Sequence, residues 1–124
     1  MPNPADSLTD QERYETARHY FIKALRLMAA DASTQCELMG NFNVAWELQH
    51  DIVDFGTALM SFAGKLTEEQ EQEIRAFITR ANDIPPSVLA AASSAEANLK
   101  AMNNPCWFPL REGASRLLAT IGPT

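Results

Sequence analysis

The feature that most constrains this chain is one run near its middle, from about Phe42 to Ala63. Ala45, Leu48, Ile52, Phe55, Leu59 and Phe62 recur there at steps of three and four. At about 100° per residue that spacing gathers them on one side of a helix. Trp46, Val53 and Met60 form a second apolar row on its flank, so apolar side chains cover more than half the circumference. Such a helix predicts a central position with several packing neighbours. What remains polar is a narrow strip of Asn43, Glu47, His50, Asp51, Asp54 and Ser61, with Gly64 expected as a left-handed cap.

The flanking segments also read as helices. Thr9 and Glu12 make a capping box, in which each side chain takes an otherwise unpaired backbone N–H. Tyr14, Ala17, Phe21, Leu25 and Met28 then carry a first helix to about Ala32. Thr34 and Glu37 can open a further turn, and Gly40-Asn41 punctuates the chain, with Asn41 as candidate N-cap of the central helix. Thr67 and Gln70 form a second capping box, opening a helix that turns Ile74, Phe77, Ile78 and Ala81 inward. Asn82 to Pro86 stops it, since proline cannot continue a helix. An alanine-rich helix is predicted over about Ser87–Met102, burying Val88, Leu89, Ala92, Leu99 and Met102. Asn103-Asn104-Pro105 breaks the chain, and Pro109 opens a last helix carrying Leu110, Ala114, Leu117, Leu118 and Ile121. No alternating run is long enough for a strand. The prediction is an all-α, single-domain antiparallel bundle of about five helices over residues 1–124, led in by a disordered segment at 1–8. A chain of 124 residues has room for one such core and not for two.

Charge narrows the function. The net charge is −6, and it is unevenly placed: residues 41–83 hold eight acids and three bases, whereas residues 84–124 hold two acids and three bases. An acidic middle third repels nucleic acid and anionic membrane and attracts a basic partner. No apolar stretch approaches the roughly 18 residues of a membrane span. The leading residues are polar and carry no apolar signal region, so a cytoplasmic address is expected. Cys36 and Cys106 lie 70 positions apart without a CxxC motif and are expected as free thiols, Cys36 as a small buried hydrophobe.

Chemistry finds few footholds. Glu47-x-x-His50 places a carboxylate and an imidazole on one helix face, as in di-iron bundles, but those sites need two such pairs and two more glutamates. The other histidine, His19, follows Glu15 by four residues, so no metal site and no cofactor is expected. There is no nucleophile elbow, phosphate loop or HExxH motif, and Cys106 has no nominated base. Asp51 and Asp54, as exposed carboxylates of ordinary pKa, would make a poor acid/base pair. No catalytic residue is therefore nominated.

The same residues suit binding. Glu47, Asp51 and Asp54 are spaced i, i+4, i+7, forming a carboxylate ridge flanked by Asn43 and His50. Glu68, Glu69, Glu71 and Glu73 add a second acidic cluster at the start of the next helix. Fixed carboxylates on a rigid scaffold pair with Arg and Lys of a basic surface. Phe42 or Trp46 at the edge would supply an anchor if exposed; the competing reading puts Trp46 in the core. Two further alternatives stand beside this one. One is a helical enzyme or metal protein built on Glu47, His50 and Glu15/His19, and the other a structural domain that forms a homodimer.

The run Gly40-Asn41-Phe42-Asn43-Val44-Ala45-Trp46-Glu47-Leu48-Gln49-His50-Asp51-Ile52, with Asn104-Pro105-Cys106-Trp107 before Leu110-Arg111, resembles small helical immunity proteins of bacterial contact-dependent and type VI polymorphic toxin systems. That resemblance implies a cytoplasmic antidote that binds one cognate toxin. Many such toxins are basic nucleases, which suits the acidic middle third. It carries no family binding residue onto a particular position of this chain.

Overall fold

Helix starts in this protein are set by short-range caps, and the computed structural model, which describes residues 9–40, 42–90 and 94–121, shows them one by one. Among those residues there are seven α-helices and no strand: α1 Asp10–Ala29, α2 Ala32–Met39, α3 Val44–Met60, α4 Glu68–Asn82, α5 Pro86–Leu89, α6 Ala95–Met102 and α7 Phe108–Ile121, with a 3-10 turn at Pro105–Trp107 before α7. The chain is all-helical as predicted, with seven helices where about five were expected. The expected lead at 1–8 lies outside the described residues.

Both predicted capping boxes form. Thr9 Oγ1 accepts from the Glu12 amide at 3.1 Å and the Glu12 carboxylate accepts from the Thr9 amide at 3.3 Å. Thr67 and Gln70 repeat the exchange at 3.1 and 2.9 Å. Elsewhere the predicted boundaries moved. The first helix stops at Ala29 because Asp31 accepts from the Thr34 amide at 2.8 Å and starts a separate helix, α2. Asn43, not Asn41, caps α3, accepting from the Trp46 amide at 3.1 Å; Asn41 itself is outside the described residues. α3 ends at Met60, and Gly64, at φ +74°, takes its left-handed conformation in the loop beyond rather than at the helix end.

The expected helix over Ser87–Met102 is two helices. Ser94 accepts from the Ala97 amide at 3.1 Å and starts α6 anew; Ala92 falls outside the described residues. This restart changes which side faces inward. Leu99, predicted to be buried, is exposed, and Asn98 is buried in its place. The cause is a backbone requirement in α3, whose first amides have no partner within the helix. Asn98 Oδ1 accepts from the Val44 amide at 2.9 Å, while its Nδ2 donates to the Ser94 carbonyl at 2.9 Å. The last helix begins at Phe108, one residue before Pro109.

Four long helices pack in a ring: α1 against α3 and α7, and α4 against α3 and α7. Tyr20 of α1 meets Phe55 of α3 with ring centroids 5.5 Å apart, and Tyr14 of α1 meets Phe62, just past the end of α3, at 5.8 Å. Gln49 donates to the Ala81 carbonyl across α3 and α4, and Gln70 to the Thr120 carbonyl across α4 and α7. Gly56 lies where three of these helices converge: a Cβ there would stand 2.8 Å from Ile78 Cδ1 and 3.1 Å from Phe21 Cε1. A mid-helix glycine costs about 1 kcal/mol against alanine in propensity; here it permits close approach.

α2 and α6 pack on each other and against α3, closing one end of the ring. Trp107, fully buried, anchors this end and donates from Nε1 to the Ala101 carbonyl at 3.0 Å. Beside it Gln35, also fully buried, donates to the Leu27 and Met28 carbonyls and accepts from Arg111 at 3.0 Å. No helix among the described residues is long and apolar enough to cross a membrane.

Candidate protein-binding surface

The exposed face of α3 holds the predicted ridge, and the helix geometry arranges it in two lines that share Asp54. Trp46, His50 and Asp54 step by four. The His50 ring stacks on Trp46 with centroids 4.5 Å apart at 16°, and His50 Nε2 lies 3.4 Å from Asp54 Oδ2. No contact between a Lys or Arg nitrogen and a carboxylate comes within 4 Å among the described residues, so this histidine–carboxylate contact stands alone. Glu47, Asp51 and Asp54 form the second line, with Glu47 and Asp51 half-buried and Asp54 exposed.

Trp46 decides between the two readings of this face, and it is 47% exposed. Its row on the flank of the stripe looked apolar enough for the core, yet the stacking partner is a solvent-facing histidine. Phe42, in the connection from α2 to α3, is 72% exposed. The acidic ridge thus has aromatic side chains at its N-terminal edge.

Asp51 departs from the expectation of an ordinary exposed carboxylate. Partial burial pushes its pKa up, and the neighbouring Asp54 charge adds to that while His50 opposes it. No hydrogen bond to Asp51 occurs among the described residues, so its carboxylate is partly stripped of water without a protein partner. An arginine from outside would relieve that cost.

The other predicted site residues divide. Asn43 is committed internally: its Oδ1 caps α3 and its Nδ2 donates to the Leu89 carbonyl at 2.6 Å, so it positions the ridge and presents little of itself. Glu68 and Glu69 are exposed and Glu71 is half-buried in the first turn of α4, where the helix dipole favours them. They do not join the ridge. Asp54 lies six residues before the end of α3, about 9 Å along the axis at 1.5 Å per residue, and a seven-residue connection follows. The two acidic groups lie on different helices.

The metal reading gathers little. Glu15 accepts from Gln11, His19 packs edge-on to Tyr20 from α1, and His50 is held by Trp46 and Asp54 on α3. Among the described residues no three His, Cys, Asp or Glu side chains come together as a ligand set. Both thiols are half-buried rather than one being fully buried, and burial raises both pKa values against the pull of Arg111. Trp107 is core, whereas Phe108 beside it is 56% exposed.

Two apolar side chains were missed as surface features: Leu38 near the end of α2, 71% exposed, and Phe108 at the start of α7. Leu38 sits between Glu37 and Met39 in a short helix whose inward face is Ala32, Gln35 and Cys36, a polar-looking face that hid the inversion. A shallow groove of about 490 Å³ also runs between α4 and α7, floored by Phe77, Gly113 and Leu117 and edged by Arg80 and Arg116. Comparison with protein-family models, with curated proteins and with solved structures finds no match to this chain.

Proposed function

We propose that this chain is a protein-binding module whose partner is a basic protein, held by the α3 ridge of Glu47, His50, Asp51 and Asp54, with the α4 cluster of Glu68, Glu69 and Glu71 as a second electrostatic contact. The observation that carries the reading is Trp46: half exposed, stacked on His50, and at the head of a line that ends on the Asp54 carboxylate. A tryptophan with one apolar end and a charged rim around it is the usual composition of an interface hot spot. The predicted antiparallel bundle would serve as the rigid scaffold beneath it. The resemblance to immunity proteins of polymorphic toxin systems makes a cognate toxin the natural occupant, met in the cytoplasm, and acidic steering would speed its capture.

The test is association with the basic protein that co-purifies from the native cell, measured as a function of salt. Reversing Glu47, Asp51 and Asp54 to lysine should slow association by one to three orders of magnitude at low salt, roughly the span of electrostatic steering. Retention of the partner by the triple variant with an unchanged salt dependence would sink the reading.

A further inference from the structure

Among the described residues, large apolar side chains are exposed almost entirely at one end. Five of the six lie there: Leu38, Phe42, Trp46, Leu99 and Phe108; the sixth, Tyr20, stacks on Phe55 in the middle of α1. Internal bonds tie the elements of this end together. The Val44 amide bonds to Asn98, Asn43 to the Leu89 carbonyl, and Arg111, whose guanidinium lies over the Phe108 ring, to Gln35 of α2. Leu38, Phe42 and Trp46 follow one another at four-residue intervals, so each Cα is within about 14 Å of the next whatever the path of the chain. Clustered apolar exposure of this kind marks an interaction surface.

We infer that this end is an apolar docking surface continuous with the α3 ridge, and that its occupant is a basic amphipathic segment of the partner protein. The segment's apolar face would cover Leu38, Phe42 and Trp46 while its lysines and arginines pair with Glu47 and Asp54. The inference rests on the ridge reading above and extends it from charge to shape. Charge selects this occupant over a second copy of the chain: two copies docked here would bring two carboxylate ridges together in molecules of net charge −6. A basic segment removes that repulsion. Two kinds of contact imply two kinetic signatures, since rim charges act on association and salt dependence whereas buried apolar anchors act on dissociation.

The experiment uses the whole protein and two fluorescent peptides of about four helical turns, roughly 14 residues. One alternates leucine and lysine at helical spacing; the other replaces its leucines with serine at equal charge. Tighter binding of the leucine peptide is expected. The double variant Leu38→Ser/Phe42→Ser should weaken that peptide by about tenfold or more, the scale of an apolar hot spot, and leave the serine peptide unchanged. Phe42→Leu should restore part of the loss, and an unaltered circular dichroism melt checks that the fold is kept. The triple lysine reversal should weaken both peptides. Equal binding of the two peptides, or indifference of the leucine peptide to the double variant, overturns the docking surface and leaves the ridge standing. Indifference of both peptides to the triple reversal overturns the ridge, and the inference with it. A dimer in sedimentation equilibrium that the double variant abolishes would overturn it in favour of self-association.

Discussion

The two ends of the ring are finished by different means. At the end where α1 and α4 start and α7 stops, polar ties close the structure. Two capping boxes, Arg18 Nη2 donating to the Ile121 carbonyl at 2.7 Å and Gln70 donating to the Thr120 carbonyl satisfy helix-terminal groups, and a Lys65–Gln11 side-chain bond ties the loop to α1. No large apolar side chain is exposed there among the described residues. At the other end three short helices, α2, α5 and α6, and the 3-10 turn cover the core, with Met102 of α6 and Trp107 of the turn buried, while Leu38, Phe42, Trp46, Leu99 and Phe108 are exposed. A protein able to finish one end with polar caps has no physical need to leave the other apolar. The difference teaches that the second end has two layers, a buried inner one that carries stability and an exposed outer one on which the proposed recognition would rest.

Substitutions can break that separation, and the largest effect belongs to the inner layer. Trp107→Ala removes the buried ring and its bond to the Ala101 carbonyl and should destabilise by about 3–5 kcal/mol in urea unfolding. A loss near zero would mean that this end contributes little to the core. Arg111→Ala comes next. It strands the Gln35 amide oxygen and the Met102 carbonyl in a buried setting, for about 1–3 kcal/mol. Asn43→Ala loses the α3 cap and the tie to Leu89, for about 1–2 kcal/mol. The outer layer should behave oppositely. Trp46→Ala and Phe42→Ser are expected to change stability by no more than about 0.5 kcal/mol, since each side chain keeps much of its surface in water already. A melt lowered as far as by Asn43→Ala would show that these aromatics are structural, and the two layers would collapse into one.

How much of this was legible in the sequence depends on the range of each interaction. The capping boxes at Thr9 and Thr67 were readable because both partners lie within three residues. The central stripe was readable because burial repeats with the helix period. Asn98 was not, since it faces inward to satisfy an amide 54 residues away, and periodicity alone preferred Leu99. Ser94 carried a local signal, an N-cap before Ala95-Glu96, which the alanine run around it masked. The ridge itself was legible as spacing on α3. Trp46 was not, because an apolar row on the flank of a buried stripe has the same pattern whether a neighbouring helix covers it or water does.

Asp51 gives the finest test, because it sets stability against the proposed binding on one face. Its pKa is raised by partial burial, so folding opposes its ionisation. A group of raised folded pKa contributes stability at pH below its unfolded value and loses it as pH climbs through the folded one. At neutral pH the wild-type protein therefore bears a small desolvation cost, discounted because much of the carboxylate remains solvated. Asp51→Asn removes the charge without changing the shape. The variant should be slightly the more stable at pH 7, by up to about 0.5 kcal/mol, and that advantage should vanish below the carboxylate range. Binding should move the other way, with the neutral side chain holding a basic partner less well. Paired urea titrations at pH 7 and pH 3, read beside peptide affinity, separate the outcomes. A variant that gains stability and loses affinity marks Asp51 as a carboxylate kept strained for a partner. One that gains stability and keeps its affinity places the binding energy of this face in Trp46, Glu47 and Asp54 alone.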